Sequence, residues 1–248
     1  MSFQRMLRKF AADPVTTTRQ VWRKSVVEPA RYRTAPSAYD ARRYWSNRFD
    51  RYSDSLRGPG DEGLTDAENE REYAAAGEQF LGLCSSLPVD FGGARLLEIG
   101  PGSGYYTGLL QQLGVRRYVG CDIAGALLPA LGERFAPYTF VQADVTQLPL
   151  IGATGGAQFD LIAIIDVIEH IVERQALAAG LGGLAGLLAP GGRLLIAPLM
   201  EASRRHLFYV HFWSQEDVLA CAPGLRLEAS TPFRQGRLAS LVRDVDNG

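Results

Sequence analysis

Residues Leu96-Leu97-Glu98-Ile99-Gly100-Pro101-Gly102-Ser103-Gly104 form an apolar run that ends in an acid and passes into glycines at every second position. Tyr105 to Leu110 then read as a helix. A strand, a glycine turn and a helix in that order bring bare backbone to a ligand at the carboxyl edge of a parallel sheet. The sign of the nearby charge discriminates between ligands. Glu98 precedes the glycines, Asp122 ends the next apolar run, and Asp144 and Asp166 close two more. Such carboxylates repel a pyrophosphate and attract a ligand bearing a sulfonium and an ammonium. The spacing agrees: Tyr105 stands where the dinucleotide pattern G-x-G-x-x-G has its third glycine. Asp122, 22 positions after Gly100, is placed to accept hydrogen bonds from both hydroxyls of a ribose.

A proton acceptor that works near neutral pH is most readily a histidine. The chain has three: His170, His206 and His211. His170 follows Asp166 and Glu169 directly, and two readings stand level for it: a base or substrate orienter, and a brace for the cofactor loop. His206 and His211, with Tyr209, fall between Met200 and Trp213, a stretch expected to line the substrate side. Each is a candidate base and equally a packing residue. Asp166, Glu169 and His170 are of metal-ligating types, but adjacent residues diverge on a helix, so no metal is assigned. Cys84, Cys121 and Cys221 are odd in number and lack a C-x-x-C pair. They read as buried thiols in a reducing cytoplasm.

These side chains need a frame. Apolar runs near 95–99, 117–121, 138–143, 159–165 and 193–199 alternate with helical patterns, which predicts a parallel sheet with helices on both faces. Leu187-Leu188-Ala189-Pro190-Gly191-Gly192 reads as a helix stop and turn, and Ser214 as the cap of a later helix. Two final strands are expected near 225–231 and 237–243. Gly180, Gly182, Gly183 and Gly186 weaken the helix they share, and read as sites of close helix–sheet contact. Thr65-Asp66-Ala67-Glu68 is a capping box opening a helix that presents Tyr73, Gly77, Phe80, Cys84 and Leu87 on one face.

The net charge of −1 conceals an asymmetry: residues 1–57 hold 13 Lys+Arg against 5 Asp+Glu. Phe3, Met6, Leu7 and Phe10 describe a short basic amphipathic helix. It suits an anionic membrane surface, its own core or a second copy of the chain in a homodimer. Thr16 to Tyr32 reads as a second helix with Val21, Trp22 and Val26 on one face, broken by Thr34-Ala35-Pro36-Ser37. Arginines and aromatics interleave from Tyr39 to Leu56. Residues 1–60 are therefore taken as a basic helical extension and 61–248 as the main domain. No apolar run approaches the ~18–20 residues of a membrane-spanning helix.

The motifs LLEIGPGSG (96–104), GCDI (120–123), ADVTQLPL (143–150), FDLIAIIDVIEHI (159–171) and LLAPGGRLLIAPL (187–199) resemble, in order, those of the class I S-adenosylmethionine (SAM)-dependent methyltransferases. The likeness is greatest to the branch holding the ubiquinone-pathway O-methyltransferases and sugar and natural-product methyltransferases. It covers the chain from about Phe91 onward. It implies an α/β, Rossmann-like seven-stranded sheet, mostly parallel, with an antiparallel terminal hairpin and a helical N-terminal extension. It implies SAM as cofactor, held by Glu98, Gly100, Gly102, Gly104, Asp122, Ile123, Asp144, Val145 and Asp166. Asp144 resembles the acid that takes the adenine amine, Val145 would supply a backbone amide, and Asp166 would face the methionine ammonium through its backbone or carboxylate. The region before the glycine loop would form a lid, and a nucleic-acid grip is disfavoured. The acceptor implied is a small molecule, above all a hydroxyl of a sugar, glycan end or secondary metabolite. Alternatives are a catalytically silent SAM-binding or scaffold protein of the same fold and a membrane-associated quinone-type O-methyltransferase. The expected location is cytoplasmic.

Overall fold

The computed structural model describes residues 14–53, 55–147 and 156–244. The basic helix expected over Phe3 to Phe10 lies outside them. The N-terminal extension comprises α1 (Pro14–Trp22), a π-helical turn (Arg23–Val27), α2 (Glu28–Tyr32) and α3 (Ala41–Tyr52). The single helix expected over Thr16 to Tyr32 is thus three consecutive helical pieces. Its anticipated apolar face meets solvent instead of a core, since Val21, Trp22 and Val26 are 48%, 59% and 51% exposed. After α4 (Asp66–Ser86) come β1 (Arg95–Ile99), α5 (Tyr105–Gln112), β2 (Arg117–Asp122), α6 (Leu128–Arg134) and β3 (Thr139–Gln142). Then follow β4 (Phe159–Ile165), α7 (Arg174–Leu187) and β5 (Leu188–Leu199). The chain closes with β6 (Arg204–Leu207), β7 (Val210–Phe212), α8 (Gln215–Cys221), β8 (Leu225–Phe233) and β9 (Gly236–Arg243).

The main sheet has the order β3-β2-β1-β4-β5-β9-β8. Strands β1 to β5 pair in parallel, and β9 runs antiparallel to β5 and β8. This is the seven-stranded sheet with a terminal hairpin that the motifs imply. Order reverses between β1 and β4, so the crevice beyond their carboxyl ends is the natural ligand site of such a sheet. The turn expected at 187–192 is a bulge within β5: Phe159 faces Leu188, but Leu161 faces Arg193.

Parallel strands covered on both faces must be apolar on both. Leu96 and Leu97 illustrate it, each fully buried and pointing to opposite sides. Leu97 joins Ile162, Ile164, Leu177, Leu181 and Val218 under α7 and α8. Leu96 joins Phe80, Tyr106, Leu110 and Phe233 under α4 and α5. The capping box forms: Glu68 Oε2 accepts from the Thr65 amide at 2.9 Å, and Thr65 Oγ1 from the Glu68 amide at 3.2 Å. All three cysteines are free and buried.

A third cluster joins the extension to the body. Tyr32, Tyr44, Trp45 and Phe49 pack on Phe208, Tyr209 and Val210 of the β6–β7 hairpin. Two short strands within 200–213 leave little periodic signal, and that hairpin has no counterpart in the sequence reading. A buried charge cluster fixes the segment after α3. Arg48 donates to the carbonyls of Gly58 at 2.6 Å and Arg57 at 3.3 Å. Glu62, 4% exposed, pairs with Arg23 and with Lys24 at 3.5 Å, and accepts from Tyr52 Oη at 3.1 Å.

Candidate active site

Beyond the carboxyl ends of β1, β2 and β4 lies a cavity of about 610 Å³. That is within the ~300–1,000 Å³ span of small-molecule sites. Gly100, Gly102, Asp122, Ile123, Asp144, Val145 and Asp166 all line it. Seven of the nine cofactor candidates implied by the resemblance thus line this cavity.

The two exceptions are Glu98 and Gly104. Glu98 is 3% exposed and lies behind the glycine loop, where Thr107 Oγ1 donates to it at 2.7 Å and Tyr118 Oη also donates. Burial lifts its carboxyl to about 7, against the pull of Tyr118 and Thr107. Strand alternation explains the position: Ile99 turns to the cavity, and Glu98 turns to the opposite face. Gly104 is needed for packing. Its φ is 81°, and a Cβ there would sit 2.6 Å from the Phe135 ring and 2.7 Å from Leu131. Gly100, at φ 71°, faces the cavity and has no room for a side chain, since a Cβ would lie 2.3 Å from Val167 Cγ2.

Asp122 is the anchor of the wall. Its Oδ2 accepts from the Gly102 amide at 3.2 Å and its Oδ1 from the Ala124 amide at 2.9 Å. A carboxylate has about four acceptor positions, so two remain for ribose hydroxyls. Burial raises its carboxyl to about 6, opposed by the amides of Ala124, Gly102 and Ile123. Asp144 accepts from the amide and hydroxyl of Thr146, at 2.9 and 2.7 Å. Neither acid is ion-paired to another described residue.

Asp166 differs. It adopts φ 57°, and its carboxylate is held by Arg234 at 2.7 Å and by Tyr106 Oη at 3.2 Å. Arg234, on the β8–β9 turn, lies 4.7 Å from the Tyr73 ring centroid. Burial opposes its charge, and Asp166, Tyr106 and Tyr73 together outweigh burial to keep it protonated. The expected ring of four free acids therefore reduces to two, Asp122 and Asp144. Asp166 carries its own counter-charge in Arg234. Nothing in the sequence pairs Arg234 with Asp166 across 68 residues.

Of the three histidines, only His170 lines the cavity. His206 is exposed on β6 and stacks on Phe212; His211, on β7, stacks on Trp213 with centroids 3.9 Å apart. The hairpin turns both away, so as catalytic candidates they are corrected to packing positions. It offers the backbone of Tyr209 in their place. His170 Nδ1 lies 3.0 Å from the Tyr209 carbonyl oxygen. A carbonyl only accepts, so Nδ1 carries the proton and Nε2 keeps its lone pair. Burial pushes His170 down to about 4, with the Tyr209 bond opposing and Arg48 assisting. Its ring sits 4.6 Å from Trp45, and its carbonyl accepts from Tyr39 Oη at 3.1 Å. Tyr39, Asp40, Arg42, Trp45 and Phe49 supply the wall opposite the sheet. Glu169 is half-buried outside the lining, and desolvation, then Asp166, raises it to about 8. Among the described residues no group of three side chains is arranged to hold a metal ion.

Residues 97–196 match the family described as a methyltransferase domain. Over 141 residues the chain is 30% identical to the malonyl-[acyl-carrier protein] O-methyltransferase of Serratia marcescens, covering 57% of this chain and 50% of that one. Over 120 residues it is 28% identical to the ubiquinone biosynthesis O-methyltransferase of Nitrosococcus oceani, covering 48% and 49%. The chain thus spans about half the length of these curated relatives. In fold it is similar to magnesium protoporphyrin IX methyltransferase from Synechocystis PCC 6803 with bound SAH. That likeness has a TM-score of 0.56 and 17% identity, covering 82% of this chain and 98% of the other. The resemblance read from the motifs therefore holds over the shared core.

Proposed function

We propose that this chain, whose residues 97–196 match a methyltransferase domain, transfers a methyl group from SAM to a hydroxyl of a small molecule. The sugar, glycan end or secondary metabolite implied by resemblance is the acceptor class favoured. One observation carries the reading: Gly100, Asp122, Asp144 and His170 line a single cavity.

SAM, when bound, supplies a methyl group on a sulfonium, already activated for in-line displacement. The chain's part is to orient and to exclude water, and orientation alone contributes up to ~7–11 kcal/mol in ideal systems. Asp122 accepts from the ribose, Asp144 and Val145 take the adenine end, and Asp166 offers its backbone to the ammonium. Tyr39, Trp45 and Phe49 would supply the aromatic part of the far wall, beside Asp40 and Arg42. His170 Nε2 accepts the hydroxyl proton as the oxygen attacks. Because burial keeps His170 neutral, that lone pair is present throughout the neutral range.

Calorimetry tests the cofactor assignment. Micromolar-range SAM binding is expected, weakened about 10–100-fold in Asp122→Ala by loss of charge-assisted hydrogen bonds. Undiminished binding in that variant removes the assignment. Release of S-adenosylhomocysteine with fractionated cell extracts then identifies the acceptor, and persistent absence of turnover would favour the silent reading.

A further inference from the structure

The large apolar side chains exposed among the described residues are Val15, Val21, Trp22, Val26 and Leu227. Four of the five fall within twelve residues of the extension. Val21 stands apart, and the other three share a face. Val15, Arg19, Trp22 and Val26 recur at intervals of four, three and four along the rod formed by α1 and the π-helical turn, which sets them on one face. Thr17 and Glu28, on the other side, are buried. An ordinary surface helix hides its apolar stripe; this one presents it.

Charge defines what the stripe meets. Residues 14–43 hold seven arginines or lysines and two acids. Arg23 and Lys24 turn inward to Glu28, Asp61 and Glu62. The other five, Arg19, Arg31, Arg33, Arg42 and Arg43, are exposed, and none is ion-paired to another described residue. A two-fold pairing of this face with a second copy would set Arg19 against its own image and gather the other exposed cations near the seam. The chain that runs on from the rod, including Thr34, Tyr39 and Arg42, lines the cavity.

We propose that this face docks on an anionic lipid bilayer, with Trp22, Val15 and Val26 entering the headgroup boundary and the exposed arginines resting on its phosphates. Apolar burial and attraction to anionic lipid act together in such helices, and tryptophan favours that depth. Each arginine near the surface adds to the attraction, and salt weakens it. Docking would hold the cavity beside the lipid surface, where an amphiphilic acceptor concentrates. The docking itself is independent of methyl transfer.

Trp22 is its own reporter, because Trp45 and Trp213 are 8% and 3% exposed. The full chain is mixed with phosphatidylcholine vesicles with or without phosphatidylglycerol, and emission and flotation are followed. With phosphatidylglycerol, a blue shift, quenching by acyl-brominated lipid and co-flotation are expected, and none of these with phosphatidylcholine alone. Trp22→Ser should lower the partition coefficient about tenfold. Arg19→Gln with Arg33→Gln should lower it roughly 30-fold. Unchanged thermal unfolding of both variants shows that they are folded.

Several results overturn the proposal. One is absence of flotation on anionic vesicles. Another is flotation that both variants retain in full, which places the contact elsewhere, as at residues 3–10. A dimer dissolved by Trp22→Ser assigns the face to a second copy. Displacement from vesicles by polyglutamate without any lipid quenching assigns it to an acidic polypeptide.

Discussion

Asp122 is buried and has a proposed ligand role, and that combination makes its pH response informative. Its carboxyl sits near 6 because burial outweighs the amides of Ala124, Gly102 and Ile123. Only the ionised form offers every oxygen to ribose hydroxyls and its full charge to the sulfonium. SAM affinity should therefore fall about tenfold between pH 7.5 and pH 5, and Asp122→Asn should flatten the profile. A wild-type profile already flat over that range would contradict the role. His170 separates two readings by a split in kinetic constants. As base, His170→Ala lowers kcat by about 10²–10⁴ with the SAM dissociation constant unchanged. As brace alone, it weakens SAM binding and leaves kcat largely intact. At this scale the sequence was legible wherever a residue's place followed from a strand end. Asp122, Asp144 and Asp166 close strands, and all three line the cavity. Glu98 was misplaced by a single step of strand alternation. Arg234 was invisible, because its role depends on which turn folds back beside which strand.

Among elements, the glycines divide by what surrounds them. Gly104 opens α5 with a left-handed backbone, and α6 leaves no space for its Cβ. Gly104→Ala should cost about 2–4 kcal/mol in denaturant unfolding, from strain and overlap together. Within α7, a Cβ added at Gly182 would meet nothing within 4 Å. Gly182→Ala should stabilise by up to ~1 kcal/mol through helix propensity. Equal effects at the two positions would refute this division. Close helix contact was expected of all the α7 glycines, yet a Cβ at Gly180 would lie 3.3 Å from the Val145 carbonyl oxygen while one at Gly182 or Gly186 would meet nothing within 4 Å. Regular elements were readable because period and caps are local properties. The β6–β7 hairpin was not, since strands of four and three residues leave too short a pattern.

Over the whole molecule, the extension is joined to the body by charge as well as by aromatic packing. Burial alone would raise the Glu62 carboxyl, but Arg48, Lys24 and Arg23 hold it down at about 2. A carboxyl titrating below its unfolded value of about 4.5 contributes stability that is complete above that pH and is lost as the pH falls through about 2. The shift corresponds to about 3 kcal/mol. Glu62→Gln should lower unfolding free energy at pH 7 by that order and expose α1 to α3 to protease before the sheet is cut. Unchanged stability with an intact extension would remove the cluster's anchoring role. The asymmetry of charge along the sequence foretold a distinct basic head. It did not foretell that three of the head's cations turn inward.

The salt link from the final turn of the chain to the tip of β4 has a bearing on modularity. The segment that carries the family motifs, cut out or grafted onto another scaffold, would bring its fourth-strand aspartate without the guanidinium that neutralises it. A chimera so made would place a surplus negative charge beside the transferable group, so the hairpin must travel with the core for the site's polarity to survive transplantation.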